Sequence, residues 1–550
     1  MEKVKIIIIG GGLGGMSVAQ NLITRGFKDI TLYERNQNTG GMARSKRLTK
    51  DDMKPISYCW RIVGASYKNM RAMMRKIPVR NGNSEDRLVD MQSIWFIINS
   101  TCVKIDVSIS TIFGVVRQLK TLCLSDLINI SRAYLYGLTA CKERIDLHDD
   151  ETWEDFIGHL SKDVHMLIVE SLGPMFGVDP HRVNASSIMR ALENLSAISP
   201  NHSQVMDTTW DEGLFKPWEE HLKKLGVKIF TEMTIDKIDV KNDKITRIHF
   251  VGIGNKEKDE ADVYFICLPV EQAHKLLKST RLGESLRHLK NNGKQLMTNV
   301  AIYFEERLFM KENRTAIYIP HTPWRIVIEP CGVVWNEDIH RKYGVGDVWY
   351  AAIDCQECKG TLYKKRFLDC SPREVKEEIM HQIYSSGLDD FLTTSSGKKF
   401  SQVEVIEVKL WPTYVEGKDG KIFTTEPKFS SNKNTLKFRP HPDITDYIEN
   451  AYMATSYCRT SREAFLMDGA FESSAIACNA FMDKIDKDKT IERVTVYSGH
   501  RKFGHVFGPL RKLDNLLLKN NLPHIGSKIH PIFIILLYFY FIYLAVRAIF

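Results

Sequence analysis

The feature that most constrains the fold is a run of four isoleucines that leads directly into a glycine-rich turn. Residues 6–9 are all isoleucine, and Gly10, Gly12 and Gly15 follow in a Gly-x-Gly-x-x-Gly pattern. About 20 residues further on, a second apolar run ends in the acid Glu34. A strand, a tight turn, a helix and a second strand ending in an acid form the βαβ unit that binds dinucleotides. The sequence therefore predicts an α/β fold with a nucleotide at the end of its first strand.

The residues of this turn have separate physical roles. Gly10 permits the tight turn, Gly12 lets the main chain approach a pyrophosphate, and Gly15 lets the helix pack closely against the strand. Leu13 and Gly14 lie where that helix begins, and its unpaired N–H groups and dipole favour phosphate. We therefore predict that all five residues contribute to the nucleotide site.

The acid and the segment after it form a second motif. Residues 34–45 read Glu-Arg-Asn-Gln-Asn-Thr-Gly-Gly-Met-Ala-Arg-Ser. The carboxylate can accept hydrogen bonds from a ribose 2′-hydroxyl, which favours FAD or NAD over a 2′-phosphorylated cofactor. The segment resembles the acid–spacer–Gly-Gly–Arg–Ser/Thr pattern of the FAD-dependent amine oxidase and phytoene desaturase superfamily. That resemblance implies a glycine pair beneath the flavin end of FAD and an arginine against its diphosphate. The FAD-binding residues implied here are Glu34, Arg35, Gly40, Gly41, Met42, Arg44 and Ser45.

Further stretches resemble the same superfamily in the same order along the chain. Residues 218–238 look like its helix followed by a strand that passes the adenosine, with Ile235 where a small apolar residue contacts adenine. Residues 447–475 resemble its last FAD strand and helix, which places Met467 and Ala470 at a helix N-terminus that points at the flavin end. Ser456 follows Thr455 where the superfamily has Gly-Asp, so this position can still form hydrogen bonds but carries no charge.

Two features separate the branches of the superfamily. Arg61, Tyr67 and Asn69 match a segment of desaturase-like and hydroxysqualene-type flavoproteins, and Arg61 belongs to the FAD-binding residues that this resemblance implies. Asn299 occupies the position where amine oxidases place a lysine near the flavin. Both features favour oxidation of an apolar substrate over amine oxidation. A flavin of this type needs no metal and no protein nucleophile, so we expect no metal site and name no catalytic residue.

Composition narrows the possible partners. The net charge of +9 is modest for 550 residues, and no basic–aromatic interleaving indicates a nucleic-acid reader. The eleven cysteines form no regular framework, which favours free thiols in a reducing compartment, and we interpret Cys355-x-x-Cys358 as a coincidence of spacing.

The C-terminal segment predicts membrane attachment. Residues 531–546 carry no charge, and about 20 apolar residues are enough to cross a bilayer. Lys519 and Lys528 precede the segment, and a positive near flank favours a cytosolic body with a single-pass C-terminal anchor. The alternatives are a helix that dips into one leaflet and a helix that is buried or binds a partner.

These inferences combine into one domain plan. We predict an α/β, Rossmann-type FAD-binding domain that is discontinuous, with an inserted α+β substrate domain and a C-terminal transmembrane helix. The predicted FAD-binding pieces are residues 1–57, 205–280 and 438–485, and the substrate domain comprises 58–204, which reads largely helical, and 281–437. The remaining parts are a basic linker at 486–528 and the membrane helix at 529–550.

Three functions are compatible with this plan. The first is a desaturase-like FAD oxidoreductase that acts on an apolar isoprenoid- or lipid-like substrate at a membrane. The second is a flavin amine oxidase of the same fold. The third is a membrane-tethered protein that keeps the fold without turnover, and the exchange at Thr455 and Ser456 favours it. The sequence does not identify the substrate, the electron acceptor or the oligomeric state.

Overall fold

A computed structural model describes most of the chain. The described residues are 4–47, 54–58, 61–91, 93–98, 101–106, 123–173, 177–195, 203–251, 257–295, 298–310, 316–461, 466–498 and 504–527. The predicted membrane helix at 529–550 lies outside these residues. Within them, none of the helices combines the length and the apolar character that crossing a bilayer requires.

The first core element is a five-stranded parallel sheet, here called the nucleotide sheet. Its central strand, Ile6–Ile9, is fully buried and pairs in parallel with Ile30–Tyr33 on one side and Val263–Ile266 on the other. Buried runs of β-branched residues are typical of parallel sheets that are covered on both faces. This arrangement confirms the predicted Rossmann-type α/β fold. The strand order is Lys228–Phe230, Ile30–Tyr33, Ile6–Ile9, Val263–Ile266, Ala451–Met453.

Helices cover one face of the nucleotide sheet. The first helix, Leu13–Ile23, packs against Met467–Ile485, where the Oγ atoms of Ser17 and Ser474 are 2.5 Å apart. The apolar side chains on this face include Ile6 and Ile8, while Ile7 and Ile9 belong to the core on the other face. Alternation along a strand therefore divides the four isoleucines between two cores.

The second core element is a seven-stranded, mainly antiparallel sheet, here called the large sheet. One of its faces packs against the helix Pro372–Tyr384, and Ser371 caps that helix by accepting a hydrogen bond from the Glu374 N–H. Two strands from the predicted helical insertion join one edge of the sheet. The strand order is Thr101–Asp106, Ser93–Ile98, Ala316–Ile319, Ile326–Pro330, Asp347–Ile353, Thr298–Phe304, Val405–Leu410.

The segment that we predicted as a basic linker contains a packed helix, Gly504–Lys519, here called the closing helix. Its buried Asp514 accepts hydrogen bonds from the Cys141 N–H (2.8 Å) and from the Arg144 Nε–H (2.7 Å). Arg511 donates from Nε to the Leu138 carbonyl at 2.8 Å. The prediction that residues 486–528 form a linker is therefore corrected for this helix. Arg511 and Asp514, three residues apart on the helix, attach it to the rest of the protein.

The Cys355-x-x-Cys358 pair is also corrected. The two sulfurs form a disulfide, with Cα atoms 5.5 Å apart. The turn between the two cysteines brings them close enough for their sulfurs to bond, and the spacing in the sequence alone did not reveal this turn. Cys123 is free and exposed, and the free cysteines Cys141, Cys267, Cys331, Cys370, Cys458 and Cys478 are buried.

The remaining elements complete the two cores. The three-stranded sheets are Val63–Gly64, Ser203–Met206, Leu88–Asp90 and Thr234–Lys241, Lys244–Val251, Lys258–Asp259. The strand pairs are Lys294–Gln295 with Lys428–Phe429, Leu308–Met310 with Leu392–Thr394, Tyr414–Glu416 with Ile422–Thr424, Ser45–Arg47 with Pro55–Ser57, and Pro78–Val79 with Gly82–Asn83. The other α-helices are Lys68–Met74, Leu124–Thr139, Lys142–Asp146, Trp153–Ile157, Lys162–His165, Ala185–Leu195, Lys216–Leu225, Val270–Leu277, Gly283–Asn292, Cys331–Val334 and Ile339–Tyr343.

Candidate cofactor-binding site

A cavity of about 300 Å³ opens at the carboxyl ends of the nucleotide sheet. Open α/β sheets bind their ligands at this edge. The cavity brings together segments that are far apart in sequence, and it includes every predicted cofactor residue except Gly15 and Ser45. The predicted residues that line it are Gly10, Gly12, Leu13, Gly14, Glu34, Arg35, Gly40, Gly41, Met42, Arg44, Arg61, Ile235, Ser456, Met467 and Ala470.

The glycines of the first turn allow close approaches of main chain to main chain. Gly10 has a φ of +103°, and its N–H donates to the Tyr33 carbonyl at 2.8 Å. A Cβ atom on Gly14 would lie 1.9 Å from the Ala454 carbonyl oxygen, and one on Gly15 would lie 1.9 Å from the Gly10 carbonyl oxygen. Gly15 therefore holds the first helix against the strand without itself lining the cavity.

The glycine pair of the second motif meets the first turn. Gly40 and Gly41 both have positive φ, and the Gly40 N–H donates to the Gly11 carbonyl at 2.8 Å. A Cβ atom on Gly41 would lie 3.0 Å from the Gly12 Cα atom. The two loops thus form one floor of bare main chain, a surface that a large ligand can approach closely. Ser45 does not line the cavity, and its Oγ accepts a hydrogen bond from the Trp210 N–H at 3.2 Å.

The Glu34 carboxylate is held in place by three donors. Its Oε2 atom accepts from the Gly11 N–H at 2.8 Å, and its Oε1 atom accepts from the Asn36 N–H at 2.8 Å and the Asn36 side-chain amide at 2.6 Å. An ionised carboxylate has about four acceptor positions, so it retains capacity for a ligand hydroxyl. The carboxylate therefore lies in the cavity wall with a fixed orientation.

The Arg44 guanidinium is buried in the cavity wall without a carboxylate partner. Its Nη1 donates to the Gly41 carbonyl at 2.5 Å and its Nη2 donates to the Asn36 side-chain oxygen at 3.5 Å. It lies over the Trp411 ring at 5.4 Å, and no described carboxylate comes within ion-pair distance of it. Burial lowers the pKa of Arg44, although an arginine keeps its charge in proteins. This site favours an anionic ligand.

A second buried guanidinium extends the positive region. Arg61 donates to the Ser57 hydroxyl at 2.8 Å and to the Met42 carbonyl at 2.8 Å, and it lies over the Trp210 ring at 5.7 Å. Arg35, in contrast, is neutralised by an ion pair with Glu426. The cavity wall thus presents two guanidinium groups that can bind phosphate oxygens.

The C-terminal motif forms the opposite wall. Ser456 is half-buried, and Met467 and Ala470 lie in the first turn of the helix Met467–Ile485. Asp468 in that turn faces away from the cavity, since it accepts hydrogen bonds from the Met70 N–H and the Asn69 side chain. Because Met467 and Ala470 line the cavity, the N-terminus of this helix lies at the cavity wall, and the positive end of its dipole adds to the attraction for anions.

Several lining residues were not predicted from the sequence. They come mostly from the insertions, where the motif resemblance is weakest: Tyr58, Gly177, Glu271, Glu426, Lys428 and Phe429. Lys428 is buried and donates to the Gly177 carbonyl at 2.5 Å, which joins two insertions at the cavity. Of these residues, Glu271 could have been predicted, because it comes shortly after Pro269, at the end of a strand of the nucleotide sheet.

Comparison with known proteins gives short sequence matches and long structural ones. Residues 8–77 match the family model described as NAD(P)-binding Rossmann-like domain. A 41-residue stretch is 56% identical to 4,4′-diaponeurosporene oxygenase of Staphylococcus haemolyticus (strain JCSC1435). That match spans only 8% of this chain and 8% of the relative's length, so the sequence likeness is confined to a short segment.

Three solved structures resemble this chain over nearly their whole length. A putrescine oxidase bound to putrescine superposes with a TM-score of 0.60 at 10% identity, covering 87% of this chain and 99% of its own. Cyclohexylamine oxidase from Brevibacterium oxydans IH-35A gives 0.54 at 12% identity, covering 88% and 99%. An oxidoreductase from Methanosarcina mazei gives 0.53 at 13% identity, covering 87% and 100%. At this identity the likeness concerns the fold, and it agrees with the superfamily resemblance that the motifs indicated.

Proposed function

We propose that this chain, which has the fold of the FAD-dependent amine oxidase and desaturase superfamily, binds FAD in the cavity and oxidises an apolar, lipid-like small molecule at a membrane. The observation that carries the proposal is the convergence of Glu34, Arg44, Arg61 and the helix Met467–Ile485 on one cavity. Each of these groups suits a different part of a dinucleotide. Both guanidinium groups are buried and form no ion pair with a described residue, so an anionic ligand would compensate their charge.

The residues present fit FAD in their donor chemistry. Glu34 would accept hydrogen bonds from the adenosine ribose, and Ile235 would contact the adenine. Arg44, the Gly12 main chain and the N-terminus of the first helix would bind the diphosphate. FAD, when bound, accepts a hydride from a substrate carbon atom. The protein orients both molecules and excludes water from the cavity.

An apolar substrate is favoured by the residues near the predicted flavin end. Asn299 stands where amine oxidases have a lysine; in the structure it is fully buried in a strand of the large sheet, whose core is apolar and aromatic, and it does not line the cavity. The name of one relative with a short matching segment states that it oxygenates 4,4′-diaponeurosporene. A substrate held in a bilayer also agrees with the proposed anchor at residues 529–550.

The membrane attachment can be tested on its own. The full chain should remain in the membrane fraction after carbonate washing, whereas a chain that ends at residue 528 should be released. The closing helix belongs to the body of the protein, so this truncation leaves the described fold in place. Release of the full chain by carbonate would contradict the anchor.

The redox activity is tested by anaerobic reduction of the bound flavin. Purified full-length protein should be yellow, and an apolar lipid extract should bleach it in the absence of oxygen. Gly14→Ala, which breaks the turn, serves as the matched protein without flavin. A yellow protein that no extract or amine reduces would favour the candidate without turnover, to which the exchange of the superfamily's Gly-Asp pair for Thr455 and Ser456 points.

Amine oxidation is the second candidate. It is favoured by the names of the solved structures with the same fold, putrescine oxidase and cyclohexylamine oxidase. Release of hydrogen peroxide on addition of an amine panel, with no bleaching by lipid, would establish this candidate instead. The lysine position occupied by Asn299 argues against it.

A further inference from the structure

The closing helix has one buried face that attaches it to the body. Phe507, Arg511 and Asp514 are buried, and their spacing of four and three residues places them on the same side of the helix. The hydrogen bonds of Arg511 and Asp514 to the body leave from this side. The opposite side of the helix therefore points away from the body.

The outward side carries exposed leucines and lysines. Each residue advances about 100° around a helix, so positions 512, 513, 516 and 519 lie together opposite the buried face. The turn after the helix adds two exposed apolar side chains, and the Leu522 N–H holds this turn against the helix by donating to the Leu517 carbonyl at 2.8 Å. We call these residues the docking face: Lys512, Leu513, Leu516, Lys519, Leu522 and Ile525.

The apolar part of the docking face is unusually dense for this protein. Leu513 is 40% exposed and Leu516 is 59% exposed, and Leu522 and Ile525 are exposed as well. Single exposed leucines are normal on a protein surface. Among the described residues, however, no other stretch as short as 513–525 exposes more than two large apolar side chains. Grouped exposed apolar side chains indicate a contact surface.

The charge around the docking face is positive. From residue 494 to residue 530, the sequence contains six lysines and arginines and one acid, Asp514. The structure buries that acid against Arg144, so it does not offset the charge of the outward side. Lys512 and Lys519 are exposed on either side of Leu513 and Leu516. This face therefore matches a surface that is apolar within and negative at its edge.

The sequence after the docking face favours a bilayer over a protein partner. Residues 531–546 carry no charge and begin six residues after Ile525. Six residues span at most about 22 Å, so insertion of that segment would keep the docking face at the bilayer surface. Leucines that enter the headgroup boundary, with lysines beside anionic headgroups, are typical of helices that lie in a membrane interface.

We propose that the docking face lies on the surface of a bilayer that contains anionic lipid, and that it fixes the orientation of the body on that bilayer. The inference rests on the membrane setting of the proposed function and adds a second contact to the anchor. The two contacts support each other, because one attachment raises the effective concentration of the other. This second contact is peripheral, so carbonate still releases a chain that lacks the anchor.

The first test maps the contact in the full chain. A fluorescent label is attached to Leu516→Cys or, as the matched control, to Leu362→Cys, in a parent that carries Cys123→Ser to remove the exposed free thiol. Leu362 is also exposed, but its N–H donates to Glu378 on the helix Pro372–Tyr384, far along the chain from the docking face. In vesicles with nitroxide-labelled headgroups, the label at 516 should be quenched and the label at 362 should not.

The second test measures affinity without the anchor. The chain that ends at residue 528 keeps every described residue, and it should sediment at neutral pH with vesicles of phosphatidylcholine and about 30% phosphatidylserine. Replacing both Lys512 and Lys519 with glutamine should weaken this binding about 30-fold, since each lysine near an anionic surface contributes about 1 kcal/mol. Leu516→Ser should weaken binding but keep its salt dependence.

The matched control for charge is the pair Lys216→Gln and Lys224→Gln. Both lysines are exposed on the helix Lys216–Leu225, so this variant loses the same charge from another surface. It should bind the vesicles with nearly the affinity of the parent. An equal loss in this control would show a general charge effect and would contradict the docking face.

Three further results would overturn the inference. The first is a label at 516 that stays unquenched although the protein is anchored, which would leave the face to the C-terminal segment or to another protein. The second is equal binding to vesicles with and without phosphatidylserine. The third is a dimer of the chain that ends at residue 528 that Leu516→Asp abolishes, because the face would then bind a second copy.

These tests do not depend on flavin. A yellow protein that a substrate reduces, but whose label at 516 is unquenched, would refute the docking face and leave the redox function in place. A colourless protein with a quenched label would refute the redox function alone. Carbonate release of a full chain whose label is quenched would refute only the anchor.

Discussion

Replacing Arg44 with methionine should separate cofactor binding from folding. The guanidinium is 3% exposed, lies in the cavity wall, and has no carboxylate partner among the described residues. Methionine has a similar length and keeps the apolar contact with Trp411. The substitution therefore removes a buried charge whose proposed partner is the FAD diphosphate.

The expected loss of affinity follows from the hydrogen bonds involved. Two hydrogen bonds from a guanidinium to phosphate oxygens contribute about 1.5 kcal/mol each, which gives about 3 kcal/mol or about 150-fold in Kd. At an FAD concentration about 100 times the parent Kd, FAD stabilises the parent by about 2.7 kcal/mol. The same concentration should stabilise Arg44→Met by only about 0.3 kcal/mol.

The assay is thermal unfolding of the apoprotein with and without added FAD. The apoprotein of Arg44→Met should be about as stable as the parent, because the cost of burying the charge offsets the hydrogen bonds and the attraction to Glu426 and Glu34 that the substitution removes. Arg190→Met is the matched control: Arg190 is buried but paired with Asp146 outside the cavity wall, so its loss should destabilise the apoprotein and leave the FAD shift intact. An FAD shift of parental size in Arg44→Met would refute the assignment of Arg44 to the diphosphate.

Three other substitutions test separate parts of the account. Gly14→Ala should abolish flavin retention, measured by absorbance after purification, because its Cβ would lie 1.9 Å from the Ala454 carbonyl oxygen. Glu329→Gln should stabilise the protein at pH 8 and leave its stability unchanged below about pH 4.5. Burial raises the pKa of the Glu329 carboxyl from 4.5 to about 7, so between those pH values the unfolded chain loses this proton while the native protein keeps it, and the free energy of unfolding falls as the pH rises. The difference at pH 8 should be about 3 kcal/mol by thermal unfolding. Asp514→Asn should destabilise the protein by about 3 kcal/mol and expose the closing helix to protease, because it leaves the buried Arg144 unpaired.

Each of these predictions has a control and a contradicting result. Gly508→Ala lies in open space and should keep its flavin, and flavin retained in Gly14→Ala would contradict the tight turn. The exposed Glu220→Gln should show no pH-dependent gain, and a gain for Glu329→Gln that is the same at pH 4 and pH 8 would contradict the buried carboxyl. The exposed Lys519→Gln should leave the protease pattern unchanged, and a closing helix that stays protected in Asp514→Asn would contradict its attachment through that carboxylate.

The parts of the fold that the sequence predicts well are those set by local physics. Four buried isoleucines, a turn that only glycine tolerates and an acid at the end of the next strand specify the βαβ unit without any distant contact. The motif around Ala470 was also predictable, because its helix start and glycine carry a pattern of their own. The structure brings these residues together around one cavity.

The parts that the sequence did not predict depend on contacts between distant segments. The disulfide between Cys355 and Cys358 depends on the turn that the chain adopts, and the attachment of the closing helix depends on a buried pair between Asp514 and Arg144. The shared face of Asn299 and Tyr350 on the large sheet is a further case, because it depends on strand register. Register is a property of the assembled sheet, and a shift of one residue would turn either side chain to the other face.

The most direct test of the central claim is equilibrium binding of FAD to the purified apoprotein, with FMN and NADP as competitors. The account predicts one FAD bound per chain and no displacement by FMN, which lacks the adenosine that Glu34 and Ile235 would contact. It also predicts no displacement by NADP, whose 2′-phosphate would face the Glu34 carboxylate. Displacement of FAD by NADP, or no binding of FAD at all, would contradict it.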